Sequence, residues 1–158
     1  MPKVHPGRWT AEHDGDVTVF LIGMRINKLH RPDRWIPVLL AMPRILTHLS
    51  KHPDTGLLSF ENWFGRTTML LSYWRSPQDL QRFASDADAP HLKAWRDFRT
   101  KVGDDGDVGI WHETYVVRPG EREVVYGNMP LFGLARATKH VAVGAGQRTA
   151  KQRMESGH

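Results

Sequence analysis

VTVFLIGMRIN, residues Val17 to Asn27, is rich in β-branched and aromatic side chains and reads as a strand. Apolar residues fall on both of its alternating faces, the pattern of a strand covered on both sides. Downstream, HRPDRWIPVLLAMPRILTHLSKH carries Trp35, Leu39, Met42, Leu46 and Leu49 at steps of four, three, four and three, which is a helical stripe. Pro32 and Asp33 suit its start. Pro37 and Pro43 each lack a backbone donor, so a kink is expected near Met42.

The turn Pro53-Asp54-Thr55-Gly56 precedes two strands, Leu57 to Phe64 and Thr67 to Trp74, joined tightly around Gly65-Arg66. Ser76-Pro77-Gln78-Asp79 then starts a helix, with Ser as cap, Pro at the first position and Asp in the first turn. After an interruption from Asp86 to Pro90, His91, Trp95, Phe98 and Val102 share one face of a second helical piece. VGIWHETYVV, Val108 to Val117, is the last core strand. Strand, helix, strand, strand, helix, strand is the split βαβ order of an α+β, ferredoxin-like domain.

Both helices lie on one face of such a sheet, so the other face, with Trp63, Trp111 and Tyr115, needs cover. A second copy closing a dimeric α+β barrel is the economical solution, and a homodimer is expected. The expected division is an N-terminal arm over 1–16, the ferredoxin-like domain with a C-terminal extension over 17–140, and a flexible basic tail over 141–158.

The 158 residues suit one core, and 40% hydrophobic with 25% charged residues is ordinary for a soluble protein. The absence of cysteine excludes disulfides, thiolate metal sites and a Cys nucleophile. Met1 to Asp16 has no apolar signal core, and no stretch approaches the roughly 18 apolar residues of a membrane helix, so a cytoplasmic protein without membrane contact is expected. The net charge is +5, but Arg136, Lys139, Arg148, Lys151 and Arg153 against Glu155 place +4 of it beyond Ala135. That is a solvated tail, not a nucleic-acid surface.

The phrases GMRINKLHRPDRWIPVLLAMPRI, SDADAPHLKAWRDF and GIWHETYVV followed by VYGNMPLFGLA resemble the monooxygenase-like family that includes a small oxygenase of the fungal fumagillin pathway. That family sits among the dimeric α+β barrels, beside the antibiotic-biosynthesis monooxygenases. The likeness runs from about Val17 to Val141 and implies an oxidoreductase acting on a small molecule.

Alternation along the last strand puts Val108, Ile110, His112, Thr114 and Val116 toward the helices, and Trp111, Glu113, Tyr115 and Val117 on the other face. His91 and His112 are therefore expected to approach one apolar cavity, lined also by Trp95 and Phe98. An imidazole there can take a proton from a phenol or enol, with Asn27 bonding the enolate oxygen. The carbanion can then react with oxygen without a cofactor, as the resemblance to those monooxygenases implies. Trp63, Trp111 and Tyr115 are further substrate-binding candidates, with core or dimer packing as their ordinary role. Glu113 is expected to pair with Arg25 as a structural ion pair, or to act as an acid.

Two alternatives use the same fold. One is a haem b enzyme with His91 or His112 as the iron ligand. The other is a protein that binds a small molecule without turnover. His48 and His52 have zinc-compatible spacing but no third ligand nearby, and read as surface histidines; no metal is expected.

Overall fold

The computed structural model describes residues 1–156. VTVFLIGMRI forms β2 (Val17–Ile26), the inner strand of a four-stranded antiparallel sheet. It pairs on one side with β4 (Met69–Trp74), from Thr18 opposite Trp74 to Ile22 opposite Leu70. On the other side it pairs along its whole length with β5 (Val108–Val117), from Val17 opposite Val117 to Ile26 opposite Val108. β3 (Leu57–Trp63) closes the hairpin with β4, giving the order β3-β4-β2-β5. That is the ferredoxin-like arrangement, and the apolar residues on both faces of β2 follow from its inner position.

Four helices form the first connections: α1 (Pro32–Leu39) and α2 (Ala41–Lys51) before β3, then α3 (Pro77–Ser85) and α4 (Pro90–Lys101) before β5. The first pair is broken at Leu40, two residues ahead of the expected kink. A break there puts Pro43 in the first turn of α2, where a missing backbone donor costs least. Ser76 caps α3 by accepting from the Asp79 amide at 3.1 Å. Asp79 is buried and ion-paired to Arg75 at 2.8 Å and Arg82 at 3.0 Å. Gly56 has φ +91°, and a Cβ on it would lie 2.5 Å from the Asp79 carboxylate, so only glycine fits under this cap.

Two apolar clusters bind helices to sheet. Met24, Ile26, Val102 and Val108 pack with Trp35, Val38, Leu39 and Phe98. Leu49, Trp74 and Leu80 pack with Phe20, Ile45, Leu57 and Phe83. Each fully buried side chain of this size stabilises the fold by about 1.5–3 kcal/mol relative to exposure.

Residues expected as an N-terminal arm contain a strand, β1 (Val4–Glu12). It lies between β6 (Tyr126–Pro130) and β7 (Lys139–Ala142) in a second antiparallel sheet, where Trp9 stacks on His140 with ring centroids 4.5 Å apart. α5 (Gly133–Ala137) ties this unit to β3: the Gly133 amide donates to Glu61 at 3.1 Å, and Ser59 Oγ donates to the Gly133 carbonyl at 3.4 Å. The C-terminal extension therefore covers part of the sheet face opposite the helices.

Order also continues into the expected flexible tail, through a turn at Ala145–Gln147 and α6 (Ala150–Glu155). Its cations are partly neutralised, with Arg153 paired to Glu123 and donating to the Gln147 carbonyl at 2.9 Å. Residues 157–158 of that tail lie outside the described residues.

Candidate functional site

Between the helices and the sheet lies a cavity of ≈ 410 Å³. Ile22 and Met24 of β2, Leu70 of β4, and Ile110 and His112 of β5 contribute from the sheet. Leu39, Met42 and Ile45 line it from α1 and α2, and His91, Trp95 and Phe98 from α4. The wall is mostly apolar, and His91 and His112 are its only titratable side chains among the described residues. A cavity of this kind binds an apolar molecule and orients it with few polar groups.

The two histidines sit on opposite layers and differ in their bonding. His91 Nε2 is 2.7 Å from the Ala84 carbonyl. A carbonyl can only accept, so Nε2 carries the proton and the neutral ring keeps its lone pair on Nδ1. That Nδ1 is buried and has no partner among the described residues. Leaving a buried acceptor unpaired costs about 1–3 kcal/mol, a cost that a donor reaching Nδ1 would relieve. Phe83 packs on the ring at 4.8 Å and holds its plane. His112 has neither hydrogen bond nor ion pair among the described residues; its ring lies 5.8 Å from Phe20.

Trp95 and Phe98 stack at 5.7 Å along the α4 wall, although Trp95 remains 48% exposed. Trp63 borders the cavity at the end of β3, but its ring meets Phe132 edge-on at 6.1 Å.

Other expected site residues lie elsewhere. Asn27 is outside the cavity, and its amide donates to the Gly106 carbonyl at 3.0 Å, closing the turn before β5. Trp111 and Tyr115 point to the opposite face by strand alternation and do not line the cavity. The expected Glu113–Arg25 pair is not formed. Glu113 is exposed and accepts from the Tyr115 hydroxyl at 2.9 Å, which raises the Tyr115 pKa, while Arg25 donates to Thr67 Oγ1 at 2.7 Å. Arg25 lies four positions along β2 from Leu21, the register partner of Glu113, so the two side chains stand a full strand segment apart.

The polar group that sequence reading missed is Asn62. It is on β3 opposite Leu70, lines the cavity, and its side chain has no hydrogen bond among the described residues. Thr68 also lines the cavity, but its Oγ1 accepts from the Met24 amide at 3.1 Å. Only knowledge of the hairpin register could have selected Asn62, since one residue of slip reverses its face.

For the haem alternative, His91 already spends Nε2 on Ala84, which leaves His91 Nδ1 and the ring of His112 as the nitrogens open to an iron, and the chamber wall itself carries no Lys or Arg. The described residues contain no cluster of three metal-ligating side chains. No helix among them is long and apolar enough to cross a membrane.

Fold and site thus define a ferredoxin-like α+β domain with an apolar, histidine-bearing chamber between its layers. Residues 17–134 match the family described as Monooxygenase af470-like, and the chain belongs to that family. It is similar to Monooxygenase af470 of Aspergillus fumigatus, 28% identical over 127 residues, covering 72% of this chain and 43% of that relative's length. Crystal structures with similar backbones include a protein of unknown function from Bacteroides thetaiotaomicron (11% identity, TM-score 0.44, 66% of this chain and 99% of that one). Another is a dimeric ferredoxin-like protein of unknown function from Jannaschia sp. CCS1 (18% identity, TM-score 0.42, 61% and 97%).

Proposed function

We propose that the chain is a small monooxygenase that oxidises an electron-rich phenolic or polyketide-like molecule held in the histidine-bearing chamber. The observation that carries this reading is the buried, unpartnered Nδ1 of His91 in an otherwise apolar wall. Membership of the Monooxygenase af470-like family supports the reaction type.

In the proposed reaction, His91 Nδ1 takes a proton from a methylene acidified by a neighbouring carbonyl, or from the hydroxyl of its enol, giving the same enolate. Asn62 donates to the oxygen on which negative charge develops. His112, from the sheet side, orients the same group. The carbanion adds to dioxygen, His91 returns its proton to give a hydroperoxide, and loss of water leaves a ketone. One CH2 and one O2 become one C=O and one H2O. The substrate supplies the electrons, so the reaction needs no cofactor.

The test uses anthrone, an apolar ketone with an acidic methylene, in deuterated buffer without oxygen. The protein should accelerate deuterium uptake at that methylene, and His91→Ala should lose at least about 100-fold of the acceleration, the lower range for general base catalysis. Equal exchange with both proteins would remove His91 from the reaction.

The homodimer belongs to the same reading. Leu21, Trp111 and Tyr115 share the face opposite the helices, and Tyr115 is 51% exposed. α5 of the C-terminal extension packs on β3 and β4, while Glu113 and Tyr115 of β5 remain exposed. A second copy would cover this face, and Tyr115→Glu should convert a dimer to a monomer in light scattering; a wild-type monomer would exclude the arrangement.

A further inference from the structure

A second cavity, of ≈ 320 Å³, lies against the chamber and is built by helical segments alone, with no strand residue in its wall. Val38, Ala41, Ala94 and Phe98 line both cavities, so one layer of side chains, two of them alanines, separates them. The chemistry changes across that layer. The chamber has no lysine or arginine in its wall, whereas the outer cleft has Arg34, Arg44, Lys93 and Lys101 against the single carboxylate of Asp97.

Lys93 is satisfied by Asp97 at 2.7 Å. Arg34 reaches Asp33 and Asp105 only at 3.6 Å, and its Nε is buried without a hydrogen-bond partner among the described residues. Arg44 and Lys101 have no ion-pair partner among the described residues. Cations gathered over an apolar floor and left unneutralised favour an anionic group attached to an apolar body.

We infer that the molecule bound in the chamber carries a carboxylate, which passes the Ala41–Ala94 seam and lies in the cationic cleft. This rests on the reading of the first cavity as the substrate chamber. Arg44 and Lys101 then select acids over neutral analogues of the same shape. They are specificity residues and take no part in the proton transfer.

The experiment compares two fluorescent probes of nearly the same body, neutral phenylnaphthylamine and anionic anilinonaphthalene sulfonate. They are titrated into the wild-type protein, the Arg44→Gln/Lys101→Gln double variant, and an Arg96→Gln/Arg99→Gln control that removes the same charge from α4 outside the cleft. Wild type and control should prefer the anion by about tenfold, the value of two partly screened charge contacts, and the double variant should lose that preference while keeping its affinity for the neutral probe. Laurate should displace the anion better than dodecanol does.

An anion preference that survives in the double variant, or falls equally in the control, overturns the cleft assignment while leaving the chamber intact. Laurate and dodecanol competing equally also overturns it. Failure of the neutral probe to bind wild type removes the chamber itself, and with it both readings.

Discussion

Gly23 is the backbone position on which the sheet beside the cavity depends. It sits in β2 between Ile22 and Met24, which both line the chamber. A Cβ at Gly23 would lie 2.0 Å from the Thr68 carbonyl oxygen and 2.7 Å from Trp111 Nε1. Ordinary contact begins at 3.4 Å, so the carbonyl must retreat by about 1.4 Å, the difference between 3.4 and 2.0 Å. That movement pulls Thr68 from Met24, whose carbonyl accepts from the Thr68 amide at 2.8 Å and whose amide donates to Thr68 Oγ1 at 3.1 Å. Overpacking costs about 1–3 kcal/mol and each of the two hydrogen bonds about 1, so Gly23→Ala should lose about 3–5 kcal/mol.

Gly109 is the control, because it lies in the neighbouring strand and a Cβ there meets only ordinary contacts at 3.7 and 3.8 Å. Urea denaturation followed by tryptophan fluorescence should place the Gly23→Ala midpoint about 1.5–2.5 M below wild type, for a slope near 2 kcal/mol/M. Gly109→Ala should stay within about 0.5 kcal/mol of wild type, the usual range for a substitution without a steric conflict. Equal midpoints for the two variants would refute the clash.

Two titrations test the electrostatics. All three tyrosines are raised: burial, then Tyr126 and Glu61, push Tyr73 up to about 12; burial chiefly raises Tyr126; the bond to Glu113 raises Tyr115. Less than half of the tyrosinate absorbance should therefore develop by pH about 10, where a free tyrosine is half ionised, and half development there would contradict these environments. A raised acid binds its proton more tightly when folded, so this contribution to stability is present below the unfolded value and lost as pH rises toward about 12. Asp79 is held below the usual carboxylate range, first by its bond to Arg75. Its contribution is present above the ordinary value and lost as pH falls through the folded one, so Asp79→Asn should cost stability near neutrality and little in strong acid. A uniform loss across that range would show that packing, not charge, is the cause.

The core order of elements was legible because its signals are local. The apolar run of β2, the Ser76 cap and the stripe of α4 are each decided by residues within a turn or two of one another. His91 and His112 could be assigned to one cavity because helix and strand periodicity fix which way each points once the split βαβ order is known. Features set by distant pairing were not legible. β1 pairs with strands more than a hundred residues away, through contacts such as Trp9 with His140, and nothing near Trp9 announces them. Asn27 and Asn62 look alike in sequence, yet one closes a turn and the other faces the cavity, because hairpin register decides the matter. Glu113 was assigned a buried partner on the assumption of burial, whereas its end of β5 is exposed and it found Tyr115 two residues along its own strand.

In the proposed reaction the chamber performs oxygen chemistry through its histidines. Dissolved-oxygen consumption with anthrone, measured for the metal-free wild-type protein and for His91→Ala and His112→Ala, tests it directly. One oxygen should be consumed per ketone formed, with the rate falling at least about 100-fold in His91→Ala and less in His112→Ala, whose ring the structure leaves unbonded. Oxygen uptake at the same rate in wild type and both variants would contradict the account.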